Sequence, residues 1–178
     1  MKALLLTFGL SLLAALQGQA FPTVDETQNV SGTWYLKATA WDKEIPDKRL
    51  GSVPVTPMNI KTLEGGNLEV KFTVLIAGRC QEITTLLEKT DEPGKYTAHV
   101  GMRVLLFIIP SAVEDHYIFY YEGKVFKHRI RVAKLLGRDP EINQEALEDF
   151  QNAVRAGGLN PDNIFIPKQS ETCPLGSD

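Results

Sequence analysis

The sequence has few of the residues that carry most catalytic and metal chemistry. Among 178 residues there are only three histidines and two cysteines. His99, His116 and His128 have no metal-ligand spacing to one another, to a cysteine or to a carboxylate. A G-x-S-x-G elbow, a P-loop and a dinucleotide-binding glycine pattern are also missing. We therefore expect no metal, no cofactor and no catalytic residue, and we expect these histidines to be surface groups with satisfied hydrogen bonds.

The chain also lacks a block of basic residues. It has 19 Lys and Arg against 22 Asp and Glu, a net charge of −3, and both signs are spread along its length. A protein that grips phosphates needs clustered cations. Nucleic acid is therefore not an expected partner.

Long apolar runs are missing beyond the N-terminus. Lys2 precedes an apolar run from Ala3 to Leu16, and Gly18 to Ala20 has the small-x-small pattern of a cleavage site. This order is typical of a secretory signal peptide over residues 1–20, and the run is too short for a membrane span. We expect residues 21–178 to form one secreted, extracellular domain.

Cysteine is limited to Cys80 and Cys173. In a secreted chain an even pair predicts a disulfide, which here would tie the C-terminal tail to the middle of the chain; two free thiols are the alternative. Asn29-Val30-Ser31 is a sequon, so Asn29 is a candidate for N-glycosylation.

What the sequence does contain is repeated alternation of apolar and polar residues. Residues 68–76 alternate with a period of two, and the turn-forming residues 64–67 before them predict a hairpin over residues 53–77. A strand starting at Trp34 and five later segments bring the count to about eight; those segments are 80–90, 96–99, 104–109, 117–121 and 125–136. Glu122-Gly123 is the expected turn between the last two. Such a series predicts an antiparallel sandwich or barrel.

One helix is predicted after the strands. Asp139 would cap its N-terminus, Pro140 would occupy its first position, and Gly157 would end it. Its apolar residues share one face at helical spacing: Ile142, Ala146, Leu147, Phe150 and Val154. We expect this face to pack on the sheet.

Strand parity also predicts which side chains face the interior. The predicted inward set is apolar and uncharged: Met58, Ile60, Val70, Phe72, Val74, Ile76, Leu106, Ile108 and Phe119. An eight-stranded barrel holds either its own side chains or one small ligand. The pattern alone suits a solid core as well as a dry cavity.

Three short motifs resemble those of the lipocalin family. Gly32-Thr33-Trp34 is similar to the family's G-x-W motif, Asp115-His116-Tyr117 lies where the family has a T-D-Y-like motif, and Gly137-Arg138 matches the arginine after its eighth strand. The order of elements and the two cysteines also agree. Longer stretches such as "GTWYLKA" and "LEKTDEPGKYTA" resemble the subfamily of von Ebner's gland proteins and tear lipocalin.

The resemblance implies an all-β, eight-stranded, up-and-down barrel shaped as a cup, with one C-terminal helix packed on it. It implies that Gly32, Trp34 and Arg138 close the narrow end of the barrel, with the arginine lying across the indole ring. It implies a carrier of small lipophilic molecules, such as fatty acids, lysolipids, retinoids or sapid and odorant compounds, in saliva around taste buds. It leaves open a cell-surface receptor and a monomeric or weakly dimeric state.

The predicted ligand contacts are Met58, Val70, Phe72, Val74, Leu106, Ile108, Phe119 and Lys134. Lys134 is a single cation in the apolar run 132–136, so it either meets a carboxylate headgroup inside the cup or points to solvent. Enzymatic lipocalins include an isomerase with a cysteine nucleophile, but here both cysteines belong to the expected pair, so we expect no enzyme. A secreted protease inhibitor is the alternative function.

Overall fold

The computed structural model describes residues 29–42, 56–99, 101–125, 127–170 and 173. The predicted signal peptide, residues 1–20, lies outside the described residues, as does the start of the predicted hairpin, residues 53–55.

Eight antiparallel strands form a closed barrel, as predicted. They are β1 (Gly32–Trp41), β2 (Met58–Thr62), β3 (Leu68–Ile76), β4 (Arg79–Lys89), β5 (Lys95–His99), β6 (Arg103–Pro110), β7 (His116–Val125) and β8 (His128–Gly137). Each pairs with the next along the chain, and β1 closes the barrel by pairing with both β8 and β2. A short ninth strand, β9 (Ile164–Phe165), adds to the outside of β1.

The seventh strand is longer than predicted. The expected turn at Glu122-Gly123 is wrong, because Gly123 pairs with Val104 on one side and Ile130 on the other, and the strand runs on to Val125. A Cβ on Gly123 would lie 3.0 Å from a methyl of Val104 and 3.1 Å from the sulfur of Met102. This glycine therefore serves close side-chain approach within a strand rather than a turn.

The helix α1 (Gln144–Ala156) begins later than predicted. Asn143, not Asp139, is its N-cap, and the Asn143 side chain accepts a hydrogen bond from the amide of Ala146. The Asp139 carboxylate instead accepts hydrogen bonds from the Glu141 amide and from Lys37. Ile142 precedes the helix and is 50% exposed, so its assignment to the packed face is also wrong. The predicted end at Gly157 agrees with the structure.

Two apolar clusters lie on opposite sides of the barrel wall. The inner cluster fills the barrel around Trp34, Leu106, Ile108 and Phe119. The outer cluster joins the barrel to α1; its buried helical members are Ala146, Phe150 and Val154. The helix therefore covers the wall from outside and leaves the barrel interior to the inner cluster.

A β-bulge in β1 decides which of its residues face inward. The register with β8 shifts between Leu36 and Ala38, so Lys37 is the extra residue. Trp34 and Leu36 belong to the inner cluster, whereas Ala38 and Ala40 belong to the outer one. Because of the shift, Trp41 at the end of the strand faces the interior.

Candidate functional site

The barrel encloses a cavity of about 460 Å³ at the end opposite Trp34. Its lining is mostly apolar: Leu36, Trp41, Thr56, Met58, Val70, Phe72, Thr73, Val74, Thr85, Leu87, Met102, Val104, Tyr121, Gly123, Ile130, Val132 and Lys134. Proteins hold small molecules in concave sites of roughly 300–1,000 Å³ with few polar groups. The size and the lining therefore suit one small apolar guest.

Five of the predicted contacts lie in this lining, and three do not. Met58, Val70, Phe72 and Val74 face the cavity, and so does Lys134. The other three, Leu106, Ile108 and Phe119, are at most 2% exposed, form part of the packed floor of the barrel and lie outside the cavity lining, so contact with a guest there stays a prediction. Parity predicted that they face inward, but it carries no information about height along the barrel.

Several cavity residues escaped the sequence analysis for identifiable reasons. Tyr121 is two residues beyond Phe119, and Ile130 and Val132 share the parity of Lys134, so extending the same alternation would have included all three. Trp41 differs, because the bulge at Lys37 reverses the parity of β1 before it reaches Trp41. No sequence signal marked that bulge.

Among the described residues of the lining, Lys134 is the one basic side chain, and it has lost most of its contact with water. Its Nζ lies 5.3 Å from the centroid of the Tyr121 ring, within the range of a cation–π interaction. Burial lowers the pKa of Lys134 below its usual value and raises the pKa of the Tyr121 hydroxyl. Both shifts reflect removal of the charged form from water. Lys134 is therefore a cation in an apolar cup, and an anionic guest group would stabilise its charge.

Two of the hydroxyls in the lining, those of Thr56 and Thr73, are already used within the protein. Thr56 donates a 2.6 Å hydrogen bond to the Thr73 carbonyl, and the two hydroxyls lie 3.0 Å apart. Thr73 also donates to the carbonyl of Cys173. These side chains therefore join the barrel wall to the tail rather than offering free donors to a guest.

The tail is also joined covalently to the open half of the barrel. Cys80 at the start of β4 forms a disulfide with Cys173 across 93 residues of sequence. In the chain-entropy model, closing a loop of this size lowers the entropy of the unfolded chain and thereby stabilises the folded state by roughly 4–5 kcal/mol.

Trp34 closes the narrow end of the barrel. It is 1% exposed, its indole N–H donates a 2.7 Å hydrogen bond to the Val30 carbonyl, and Tyr117 packs edge-on with ring centroids 5.1 Å apart. The Arg138 guanidinium carbon lies 3.6 Å from the centroid of the indole, and the same side chain donates to the Thr33 carbonyl. These contacts form a packed plug, so the cavity opens at the other end.

Glycine is required beside this plug. Gly32 has a φ of +109°, which side chains rarely tolerate, and a Cβ there would lie 2.8 Å from the guanidinium of Arg138. The glycine two residues before Trp34 therefore leaves room for the Arg138 side chain to lie across the indole ring.

His116 is buried, so its expected place on the surface is wrong. Its Nδ1 lies 2.8 Å from the Glu114 carbonyl oxygen, a contact in which Nδ1–H donates, and this leaves Nε2 to accept from the Lys37 ammonium at 3.1 Å. Lys37 is 1% exposed and also reaches the Asp139 carboxylate at 3.3 Å. A Cβ on Gly137 would lie 2.7 Å from the Lys37 stem, so this glycine leaves room for the network.

Asn29 lies at the start of the described chain and is exposed. Its side-chain oxygen accepts a 3.0 Å hydrogen bond from the amide of Ser31. The exposure leaves the side chain accessible, and glycosylation there remains a prediction.

The described residues contain neither a metal centre nor a membrane-spanning helix. No group of three or more His, Cys, Asp or Glu side chains in that part of the chain could hold a metal ion. Its helices are also too short or too polar to cross a bilayer.

A barrel plugged at one end and open over an apolar cavity defines a binding protein for small molecules. Comparison with known proteins identifies the class more closely: the model of the Lipocalin / cytosolic fatty-acid binding protein family matches residues 31–171. The chain belongs to the lipocalin family. The family is described by ligand binding rather than by a reaction, in agreement with the expectation that the chain is not an enzyme.

Relatives confirm the resemblance to one subfamily. The chain is 81% identical over 178 residues to von Ebner gland protein 1 of Rattus norvegicus, with 100% of both chains covered. It is 54% identical over 179 residues to Lipocalin-1 of Sus scrofa, covering 100% of this chain and 99% of the relative.

A solved structure of the siderocalin Ex-FABP, described as functioning through dual ligand specificities, superposes with a TM-score of 0.71. It covers 83% of this chain and 99% of its own at 17% identity, so this likeness shows the fold alone.

Proposed function

We propose that the chain is a secreted carrier of small lipophilic molecules, with a monocarboxylic fatty acid or lysolipid as its preferred class of guest. The observation that carries this proposal is Lys134, which is half-buried and is the one charged side chain among the described residues that line a mostly apolar cavity of about 460 Å³. The acyl chain would occupy the space between Phe72 and Val132, and the headgroup would meet Lys134.

Burial of the acyl chain supplies most of the expected affinity. Each methylene removed from water contributes about 0.8 kcal/mol, so a long chain gains on the order of 10 kcal/mol before the costs of association. Loss of translational and rotational freedom offsets about 4 kcal/mol or more. The remainder, about 6 kcal/mol, corresponds to dissociation constants of roughly tens of micromolar, with broad tolerance of guest shape.

Secretion is part of the proposal. It is supported by the signal-peptide pattern of residues 1–20 and by the Cys80–Cys173 disulfide, since disulfides persist in oxidising compartments. The similarity to von Ebner gland protein 1 supports a setting in saliva, where delivering or clearing sapid compounds would use the same cavity.

A titration with a fluorescent fatty acid tests the proposal. Delipidated protein should bind one fluorescent fatty acid per chain, and unlabelled fatty acid should displace it. Phe72→Trp adds a reporter in the cavity wall, whose emission should change on binding. The absence of saturable binding to the wild-type protein would refute the carrier function.

The headgroup assignment needs its own comparison. Lys134→Ala should weaken binding of a fatty acid about 5-fold or more, the range expected for a partly desolvated ion pair, and leave the matching fatty alcohol unchanged. An equal change in the affinities for the acid and the alcohol would show that Lys134 does not bind the headgroup. The cavity would still be the binding site for the acyl chain.

A further inference from the structure

The two ends of the barrel carry opposite charge. Around the open end, four exposed cations make no ion pair within the described part of the chain, and they form what we name the basic rim: Arg79, Arg103, Lys124 and Lys127. Two further arginines near the open end are neutralised by ion pairs, since Arg129 contacts Glu122 at 2.7 Å and Arg131 lies 3.6 Å from Asp42.

The closed end is acidic. Its connecting segments carry seven carboxylates: Glu64, Asp91, Glu92, Glu114, Asp115, Asp139 and Glu141. Two of them are neutralised by ion pairs, since Lys95 contacts Glu92 at 3.1 Å and Lys37 contacts Asp139 at 3.3 Å, which leaves five. Arg138 in the plug is the cation within the same segments. The 43–55 segment lies outside the described residues; its sequence contains three basic and two acidic residues.

Apolar side chains accompany the basic rim. The β3–β4 turn has positive φ at Ala77 (50°) and Gly78 (76°), and just before it Leu75 is 48% exposed and Ile76 is 52% exposed. The predicted inward position of Ile76 is therefore wrong, because the strand ends there and the described residues leave about half of its surface uncovered. Ile76 pairs with Arg79 across this hairpin. Val74, one residue further back, and Met102, beside Arg103, both line the cavity. The exposed apolar tip is therefore continuous with the wall of the cup.

We propose that the basic rim and the Leu75–Ile76 tip form a docking surface for an anionic lipid surface, mouth first. Cations near such a surface are attracted to its headgroups, and exposed aliphatic side chains enter the interface between headgroups and acyl chains. The acidic closed end is repelled, which fixes the orientation. A lipid could then pass between the surface and the cavity without exposing its acyl chain to water. This surface goes beyond the carrier function, which needs only the cavity.

Vesicle cosedimentation tests the docking directly. The chain without residues 1–20 should bind vesicles of phosphatidylcholine with about 30% phosphatidylserine at ~0.1 M salt, and should bind pure phosphatidylcholine at least ~10-fold more weakly. Raising the salt to ~0.5 M should release it, because screening shortens the range of the attraction. Equal binding to both vesicles, or no binding to either, overturns the proposal.

Charge reversal locates the surface. Arg103→Glu, Lys124→Glu and Lys127→Glu together should lower the partition onto anionic vesicles by roughly 100-fold, since each cation near the membrane contributes about a factor of five. The matched control is Lys61→Glu, Arg155→Glu and Lys168→Glu, three exposed residues away from the mouth that give the same change of net charge. An equal loss of vesicle binding in the two triple variants would show that only the net charge matters, and would overturn the assignment of the basic rim as the docking surface.

Depth of insertion tests the apolar tip. Ile76→Trp should be quenched by lipids brominated on their acyl chains, whereas Ile166→Trp, at a position 45% exposed but distant from the mouth, should not. Equal quenching of the two would overturn the mouth-first orientation.

The docking surface and the carrier function can be tested independently of each other. Fatty-acid titration in buffer without vesicles should give the same affinity for the charge-reversed triple variant as for the wild type, because the basic rim lies outside the cavity lining. Retained fatty-acid binding without wild-type attachment to anionic vesicles would overturn the docking surface and leave the carrier function standing.

Discussion

The closed and open halves of the barrel are built from the same strands and the same alternation, yet one is solid and the other is hollow. In the closed half, Trp34, Ile108 and Phe119 are each at most 2% exposed and fill the space between the strands. In the open half, Val70, Phe72 and Val132 surround about 460 Å³. Inward-facing apolar residues therefore form a packed floor where opposing side chains meet across the barrel, and a cavity wall where they do not.

The largest effect is expected from removing the plug. Trp34→Ala should lower the free energy of unfolding by about 3–5 kcal/mol, because it deletes a buried ring together with its hydrogen bond to Val30. Trp41→Ala is the matched control, since Trp41 lines the cavity. It should cost less than half as much stability and weaken fatty-acid binding instead. Denaturant unfolding of both variants measures the contrast; equal costs would contradict the division into floor and cavity.

A smaller change should convert floor into cavity. Phe119→Ala removes a ring that pairs with Ile108 on β6 and Lys134 on β8, and it should cost about 3 kcal/mol. The space released adjoins Lys134, the cross-strand partner of Phe119, so a headgroup can enter more deeply and more of a long acyl chain can be buried; longer guests should therefore gain affinity relative to shorter ones. A series of fatty acids of increasing length, titrated against the variant and the wild type, checks this. An unchanged chain-length preference would mean that the floor collapses when the ring is lost.

The polar network beside the plug should matter less. His116→Ala leaves the ammonium of Lys37 buried without the Nε2 acceptor, and losing a partner for a buried polar group costs about 1–3 kcal/mol. Asp139 still contacts Lys37, which limits the loss. Thermal unfolding measures the effect. His128→Ala, at an exposed position, is the control and should be neutral.

The smallest stability effect should have the opposite sign. Lys134→Met should raise the stability of the empty protein by on the order of 1 kcal/mol, since the wild type holds a cation away from water. The lowered pKa of Lys134 means that the folded state binds fewer protons than the unfolded state. Wild-type stability should therefore rise with pH between the lowered pKa and the ordinary lysine value, and Lys134→Met should abolish this rise. Unfolding curves recorded across the alkaline range test both statements.

Ligand binding should show the reverse dependence on pH. A guest carboxylate stabilises the charged lysine, so affinity for a fatty acid should be highest below the pKa of Lys134 in the empty protein and fall as the pH rises through it. A fatty alcohol should show no such fall, and its titration over the same pH range is the control. Parallel curves for acid and alcohol would argue against a headgroup contact.

The sequence predicted most of the wall and part of the site. Alternation in residues 68–76 located β3 and its inward face, and the G-x-W motif located the plug. The same reasoning missed the run of β7 through Gly123, because a glycine that permits close packing looks the same in sequence as one that permits a turn. It also placed the helix N-cap at Asp139, whose carboxylate is engaged by Lys37 from a distant strand.

Local sequence is enough to predict the period of the strands, the inward or outward face of most residues, and the cysteines available for a disulfide, because these depend on residue types and their spacing along the chain. The tertiary structure decided how deep each inward residue lies, where the bulge at Lys37 reverses the parity of β1, and that Lys134 faces the cavity. Those features arise from side chains that meet across the barrel after closure. Ile108 and Val70 are both apolar and both face inward, and only the packing around each makes one the floor and the other the wall of a cup.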